Sequence, residues 1–519
     1  MSRKKAVRII FILISLFIGL VMVAQLMAKS RVANFLSKKV PKHIHLDYEG
    51  LTVNVLSGSI RLKEVRLDFY NPDTLLRHTS AIMEALNFKG LGYGNLLFNN
   101  TVSFRNVELL EPVIMHFPDD LLSPKNAAKT EEVGRDISIA NFNIADGEYI
   151  LMQQKPDSVK LKIDSFNLSL SQVGISTETL KNKIPFTYEA LTFNSHDLFV
   201  DLGPYEVLKV AEVDLVQKEA VFKNITLTSK YNKRELSRIL IKERDHIDLK
   251  IPEVLISQLD FGYDEGRFFL NIDKGIFSDP SLRIYRDKLV PDDFDPKKLY
   301  SQMLREMPLE LDVAELKINR GYISYAELVT QGIVPGEIIF SDLDADLKRI
   351  SNTKTTVKGD GTTIEINALL MGKAPLILNW NFDPQMENDA FLVSGELRDF
   401  NSKSINPFLI SNLRAEANGD IKELFFTFSG DKVSSIGDMK MKYQDFGFVI
   451  LQKNRGGVNK LLTLLGNIFT NDGSQADLNG YRYGSIEAER DVSKSFFNYL
   501  WLNVKEGVLS TLTGNGKQD

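Results

Sequence analysis

A short apolar pattern recurs along this chain and constrains its fold more than any other feature. It reads Φ-x-Φ-x-x-Φ-x-Φ, where Φ is apolar. Ile60, Leu62, Val65 and Leu67 form one copy, and Val102, Phe104, Val107 and Leu109 the next. Ile137, Ile139, Phe142 and Ile144 follow, then Leu161, Ile163, Phe166 and Leu168. Phe186, Tyr188, Leu191 and Phe193 fit, as do Leu208, Val210, Val213 and Leu215. Further copies are Val254, Ile256, Leu259 and Phe261, then Leu311, Val313, Leu316 and Ile318, with a weaker one at Ile338, Phe340, Leu343 and Ala345. A strand turns successive side chains to opposite faces. The extra central residue would therefore send half of each copy to the wrong face. A β-bulge absorbs it, keeps the four apolar side chains together and bends the strand. Repetition predicts a mainly β chain: an elongated, curved, bulged antiparallel sheet or groove with one continuous apolar face. Turn formers often close a copy, as at Pro72, Pro112, Gly147 and Gly321. The stretches ISIANFNIADGEY, from Ile137, and LDVAELKINRGYI, from Leu311, align without a gap. The uneven spacing of the copies excludes a solenoid of fixed period.

The N-terminus reads MSRKKAVR and then runs apolar from Ile9 to Ala28, with Ser15 and Gln25 its only polar members. Twenty helical residues span roughly 30 Å, the thickness of a bilayer core. Arg3, Lys4, Lys5 and Arg8 precede the run, and basic flanks stay on the cytoplasmic side. The expectation is a transmembrane signal anchor with the remainder exported. A cleaved signal peptide is the rival reading, but Leu26-Met27-Ala28 puts a large residue three before the cut.

Helices are few. The stretch 291–307 opens with proline and acidic residues, as a helix start does. Asn459–Thr470 gathers Leu461, Leu462, Leu465, Ile468 and Phe469 on one stripe. In the C-terminal segment Val492, Phe496, Leu500, Val504 and Val508 recur every fourth residue, and Phe497 and Trp501 widen the face. This predicts an amphipathic C-terminal helix that packs on the sheet end or meets a membrane or partner. Loops are expected near Pro118–Arg135 and Ser351–Gly361. The organisation is then 1–28 anchor, 29–350 repetitive β-groove, 351–452 C-terminal β region and 453–519 helical segment.

Specific catalytic chemistry is missing. There is no cysteine among 519 residues, which excludes disulfides and thiolate sites. No nucleotide loop, nucleophile elbow or zincin helix occurs. The terminal GNGK has no helix of useful length after it. A net charge of −5, from 63 basic and 68 acidic residues, gives no electrostatic reason to expect nucleic acid. His43 and His45 share a strand face, and Asp342, Asp344 and Asp346 alternate on another. Both read as solvated faces rather than metal sites. Neither cofactor, metal nor catalytic residue is expected, and the chain reads as a non-enzyme.

A basic start, one signal anchor and then G-x-I-x-L-x-x-V-x-L, here GSIRLKEVRL at 58–67, resembles the AsmA-like proteins of Gram-negative envelopes. Residues 85–117 resemble a recurring hairpin of that family. Residues 390–451 resemble its C-terminal region, through AFLVSGELRDFNSKSINPFL, LRAEANGDIKELFFTFSG and GDMKMKYQDFGFVIL. The resemblance implies an inner-membrane-anchored, periplasmic protein that binds or transfers phospholipid or another envelope lipid through an apolar β-groove for outer-membrane upkeep. The groove candidates are Ile60, Leu62, Val65, Leu67, Val102, Phe104, Val107, Leu109, Ile137, Ile139, Phe142, Ile144, Val254, Ile256, Leu259, Phe261, Leu311, Val313, Leu316 and Ile318. Phe496, Phe497, Leu500, Trp501 and Val504 form the C-terminal amphipathic face. The alternative is a structural or assembly factor with a closed core, whose C-terminal end meets outer-membrane proteins or the outer membrane. About 25 strands at ~4.8 Å would reach on the order of 120 Å in one sheet.

Overall fold

The computed structural model describes residues 3–38, 40–71, 74–117, 135–153, 158–353, 361–450 and 476–514. Of residues 3–14, 17 and 448–450 only the backbone is described. The expected turn at Pro72, the loops at 118–134 and 354–360, and the helix Asn459–Thr470 lie outside the described residues. The chain divides into two compact units, Met1–Leu202 with Lys209–Phe222, and Gly203–Leu208 with Lys223–Asp519.

The first unit begins with α1 (Arg3–Lys38), followed by β1 (Ile44–Asn54), β2 (Ser59–Tyr70) and β3 (Arg77–Lys89). Next come α2 (Tyr93–Phe98), β4 (Thr101–Leu110), β5 (Val113–His116), β6 (Asp136–Met152), β7 (Val159–Ile175) and β8 (Ala190–Asp201). β1, β2 and β3 pair antiparallel in sequence order. β4 and β5 together form one broken strand between β3 and β6, antiparallel to β3 and parallel to β6. β6, β7 and β8 continue antiparallel. Among the described residues no helix is long and apolar enough to cross a membrane. The apolar run expected to cross one, Ile9–Ala28, lies within α1, and the side chains of its first six residues and of Phe17 lie outside the description.

β9 (Glu206–Val216) and β10 (Glu219–Ser229) contribute residues to both units. The second unit then holds α3 (Lys233–Ile239), β11 (Asp245–Ser257), the short β12 (Asp260–Asp264), β13 (Arg267–Ser278) and β14 (Ser281–Asp287). Then come α4 (Tyr300–Arg305), β15 (Glu310–Leu328), β16 (Gly336–Ser351), β17 (Thr362–Leu370), β18 (Ala374–Phe382) and β19 (Phe391–Asn401). After the single turn α5 (Asn406–Phe408) it ends with β20 (Ala415–Gly430), β21 (Ser434–Ile450), β22 (Arg482–Glu489) and the helix α6 (Phe496–Thr513). β15 to β22 pair antiparallel in sequence order. The boundary expected at 351 falls between the paired strands β16 and β17.

Antiparallel pairing is therefore not universal. β13 and β14, like β4 and β5, form one broken strand that runs parallel to the next long strand. The two units repeat one plan here. Each break is an acidic residue and a proline, Glu111-Pro112 and Asp279-Pro280, with the acidic residue left-handed at φ 49° and 52°. Each acidic residue donates its N–H to the neighbouring long strand, Glu111 to the Ala145 carbonyl and Asp279 to that of Asn319, both at 2.9 Å. Each long strand then carries a left-handed residue before a glycine, Asp146-Gly147 and Arg320-Gly321. There the register against the next strand shifts and shifts back. The Asp146 N–H donates to Asn167 Oδ1 at 3.0 Å, and the Arg320 N–H to Asp344 Oδ1 at 2.9 Å. Gly147 is required because Phe166 sits over it: a Cβ there would lie 2.7 Å from that ring.

The bulges are thus real but not uniformly placed. Inside the pattern, Glu64, Gln258 and Asp342 take the left-handed conformation at the second central residue. In the copies at 102 and 137 the register runs through without a shift. The shift comes later in the second of these, between Ile144 and Gly147.

The helix expected over 291–307 is confined to α4. Pro291 and Pro296 lack an N–H, and Asp293 instead accepts the Asp295 N–H at 3.1 Å and pairs with Lys297. These local bonds compete with the helix. α6 starts at its Ser495 cap, which accepts the Asn498 N–H, and stops at left-handed Gly514. The expected face packs on the core through Phe496, Leu500, Trp501, Val504 and Val508, and the fully buried residues extend to one side of it. Phe496, Tyr499, Asn503, Gly507 and Thr511 are buried, Leu500, Trp501 and Val504 are half-buried, and Phe497 is 62% exposed. Val492 precedes the helix and is exposed. Small residues let the helix backbone approach the sheet, where a Gly484 Cβ would lie 2.5 Å from the Thr511 nitrogen.

Candidate functional site: an apolar sheet face

Residues directly opposite in neighbouring strands share a face, so the registers trace how apolar side chains line up across the first unit. One row runs Leu51, Leu62, Leu86, Leu109, Ile144, Leu168 and Phe193. A second runs Val53, Ile60, Phe88, Val107, Phe142, Leu170 and Leu191. A third, towards the other strand ends, runs Leu46, Leu67, Ala81, Ile114, Tyr149, Ile163 and Leu198. Each crosses seven positions, roughly 29 Å at ~4.8 Å per strand, longer than an extended acyl chain of common length.

The opposite face is polar and bonded to itself. Asn143 donates to Asn106 at 2.7 Å and accepts from Ser169 at 2.8 Å. Asn167 donates to Asn194 at 3.0 Å. Burial pushes the Glu108 carboxyl up, but hydrogen bonds from Asn87 and Lys89 outweigh it and hold that carboxyl below its usual range. The sheet is amphipathic, with a solvated back and an apolar front.

What covers that front differs along the chain. In the first unit α1 packs against β1 and the six-residue α2 against β4. Its two buried apolar clusters are small, centred on Leu62, Val65, Ala81 and Met83, and on Val107, Ile139, Leu170 and Val173. In the second unit the rows lengthen. One runs Val254, Phe277, Ile318, Ala345, Ile366, Leu378, Gly395, Phe426, Met439 and Gly484. Its far end passes beneath α6 into a closed core that includes Phe391, Val393, Phe428, Met441 and Tyr499. There Trp380 stacks on Phe496 at 4.2 Å between centroids. Ser435 donates to buried Asn503 at 2.7 Å, and Asn503 donates to the Tyr499 carbonyl at 2.9 Å.

Of the twenty groove candidates, Leu62, Val65, Val107, Ile139, Ile144, Val254 and Val313 are buried. The other thirteen are half-buried, and none is exposed. The structure gathers Ile60, Leu62, Leu67, Val107, Leu109, Ile144 and Phe142 into the three rows. Val102 and Phe104 pair with Ile137 and Ile139 beside them. In the second unit Leu316 reaches over Gly275. The sequence reading missed Ala81, Met83, Leu86 and Phe88 in β3; Ala81, Leu86 and Phe88 complete the rows, and Met83 pairs with Val65. These four residues are themselves a copy of the Φ-x-Φ-x-x-Φ-x-Φ pattern.

The other chemical candidates do not converge. His45 pairs with Asp47 at the surface. Asp344 accepts the Arg320 N–H, Asp346 pairs with Lys317 at 3.1 Å, and Asp342 is itself a left-handed residue. Among the described residues no group of histidines and carboxylates could hold a metal. No known family's sequence profile matches the chain, and no curated protein matches it in sequence.

Proposed function

We propose that this protein is a membrane-anchored carrier of lipid in a Gram-negative envelope, of the AsmA-like type. α1 holds it in the inner membrane, the bulk lies in the periplasm, and acyl chains lie along the apolar rows. The observation that carries this reading is the asymmetry of the first unit's sheet. Its back is satisfied by its own asparagine and serine bonds, while its front presents three apolar rows, most of whose members stay half-buried, with Val53, Leu62, Ala81, Val107, Ile144 and Leu170 buried among them. An apolar face of this extent needs a cover. Each methylene kept from water is worth about 0.8 kcal/mol, so an acyl chain is a fitting one. The anchor rests on the apolar run Ile9–Ala28 and its basic flank. The closed core beneath α6 favours, for that end alone, the assembly reading in which the protein's own layers seal the sheet.

A photo-crosslinking amino acid at Phe142 or Leu109, in the full chain in its native membrane, tests this. Phospholipid adducts are expected at both row positions and not at Ser138 on the polar back. Protein adducts without lipid at the row positions would transfer the case to the assembly reading.

A further inference from the structure

The sheet does not simply hang from α1; it turns back towards it. After α1 ends at Lys38 the chain reverses, and β1 runs back along the helix until its end meets Gln25. Gln25 donates to the Val53 carbonyl and accepts the Val55 N–H at 3.0 Å. Gln25 lies within the apolar run, three residues and about 4.5 Å of helix before its end at Ala28. Lys29 and Arg31 follow immediately and mark the head-group level. The β1–β2 turn is thereby pinned at the depth of the acyl layer's edge.

α2 is locked to that turn. The Leu91 N–H donates to the Gly58 carbonyl at 2.9 Å, and the Tyr93 hydroxyl donates to the Val55 carbonyl. Gly58 is left-handed, and a Cβ there would lie 2.8 Å from the Leu91 nitrogen. Turn and helix therefore form one surface, and it is strongly apolar: Leu56 is 71% exposed, Leu97 72% and Phe98 84%. Tyr93 stands beside them, a residue type favoured at membrane interfaces. The turn's backbone is largely satisfied from within, since Ser57 N–H donates to Asn54 and Gly58 N–H to Val55. Irregular backbone enters the edge of a bilayer only on that condition.

We propose that the β1–β2 turn and α2 form a wedge seated in the outer edge of the anchoring leaflet, whose occupant is the lipid bilayer itself. The row that begins at Val53 and Ile60 starts directly at this wedge, so lipids reach the apolar face from within the leaflet rather than through water. The proposal rests on α1 being the anchor, and its test separates the two.

The chain has no cysteine, so single cysteines can be placed in the full protein by Met22→Cys on α1, Leu97→Cys and Phe98→Cys on α2, and Ser138→Cys on the polar back. Each is labelled with an environment-sensitive fluorophore after reconstitution in phosphatidylethanolamine and phosphatidylglycerol vesicles, and quenched by lipids carrying a nitroxide near the head group. Quenching at positions 97 and 98 of at least half that at 22, with none at 138, is expected. Quenching at 22 with positions 97 and 98 as silent as 138 overturns the wedge and leaves the anchor standing. Silence at 22 in vesicle-bound protein overturns both. Protection of positions 97 and 98 that grows with protein concentration, without nitroxide quenching, assigns the surface to a second copy and also overturns the wedge.

Discussion

Two glycines set how closely α6 approaches its sheet, and the structure ranks them. A Cβ at Gly484 in β22 would lie 2.4 Å from Thr511 Oγ1, 2.5 Å from the Thr511 nitrogen and 2.7 Å from the Gly507 oxygen. Two of these are helix backbone, which no rotamer change relieves. A Cβ at Gly507 would meet the Met439 methyl at 2.6 Å and Ile486 Cγ1 at 3.0 Å. The first of these is the free end of a flexible side chain. Overpacking a core costs about 1–3 kcal/mol, and Gly484→Ala belongs at about 3 kcal/mol because the helix must move. Gly507→Ala incurs the milder clash but gains about 1 kcal/mol of helix propensity, so its net effect lies within about 1 kcal/mol. The two tryptophans, Trp380 and Trp501, both pack on this core and report it by fluorescence. With a urea slope of about 1–3 kcal/mol per molar, Gly484→Ala is expected to lower the unfolding midpoint by roughly 1–3 M, and Gly507→Ala by far less. Equal shifts, or the reverse order, would refute the claim that backbone contact at Gly484 fixes the seat of α6.

Two further perturbations follow from the repeated bulge and from a buried charge. Asn167→Leu removes the acceptor of the Asp146 N–H and should cost about 1 kcal/mol in urea unfolding. Asn167→Asp keeps that acceptor, as an aspartate does at position 344, and loses only the donor to Asn194, which an Asn194 amide turned to donate restores, so it should lose less than Asn167→Leu; equal losses would show that the bond to Asp146 is incidental. Burial pushes the Glu243 carboxyl up, but hydrogen bonds from Lys288 and Lys494 outweigh it and hold it below the usual glutamate range. A lowered carboxyl contributes stability above its unfolded value and loses it as pH falls through the lowered one. Glu243→Gln should therefore cost about 2 kcal/mol at neutral pH, less than a fully buried pair because both lysines keep partial exposure and reach Asp292. The difference from the unsubstituted protein should vanish in acid, below the ordinary glutamate range. A gap unchanged at low pH would mean that packing, not charge, holds the loop before α6.

The strands and their apolar face were readable because the face repeats at fixed offsets, and the alignment of 137 with 311 marked the two broken-strand modules. The parallel junctions were not readable. They depend on Glu111-Pro112 and Asp279-Pro280 breaking one strand into two, and a proline after an acidic residue reads equally well as an ordinary turn. The bulge positions were only partly readable, because Φ-x-x-Φ also occurs at Leu347–Ile350 and Leu397–Phe400, where Arg349 and Asp399 are left-handed outside any full copy. α6 was found by its period, and its apolar face packs on the core, but the small residues at the centre of its buried side were not readable. The period weighs Leu500, Val504 and Val508 as greasy, whereas the sheet selects Asn503, Gly507 and Thr511 for their small size and for one hydrogen bond with Ser435.

The seat of α6 bears on what the apolar rows are for. Apolar rows cross each unit, and what covers them differs. The distinction lies in the partner surface. Beneath α6 the sheet supplies Gly484 to receive a backbone and Ser435 to satisfy an amide, both specific to a protein cover. Along β2 to β8 the front offers mostly branched and aromatic side chains; its glycine, Gly147, is covered by the Phe166 ring, and a buried serine, Ser195, lies opposite Phe166. A face built that way accommodates a cover that brings no backbone and needs no hydrogen bond, which is the chemistry of an acyl chain.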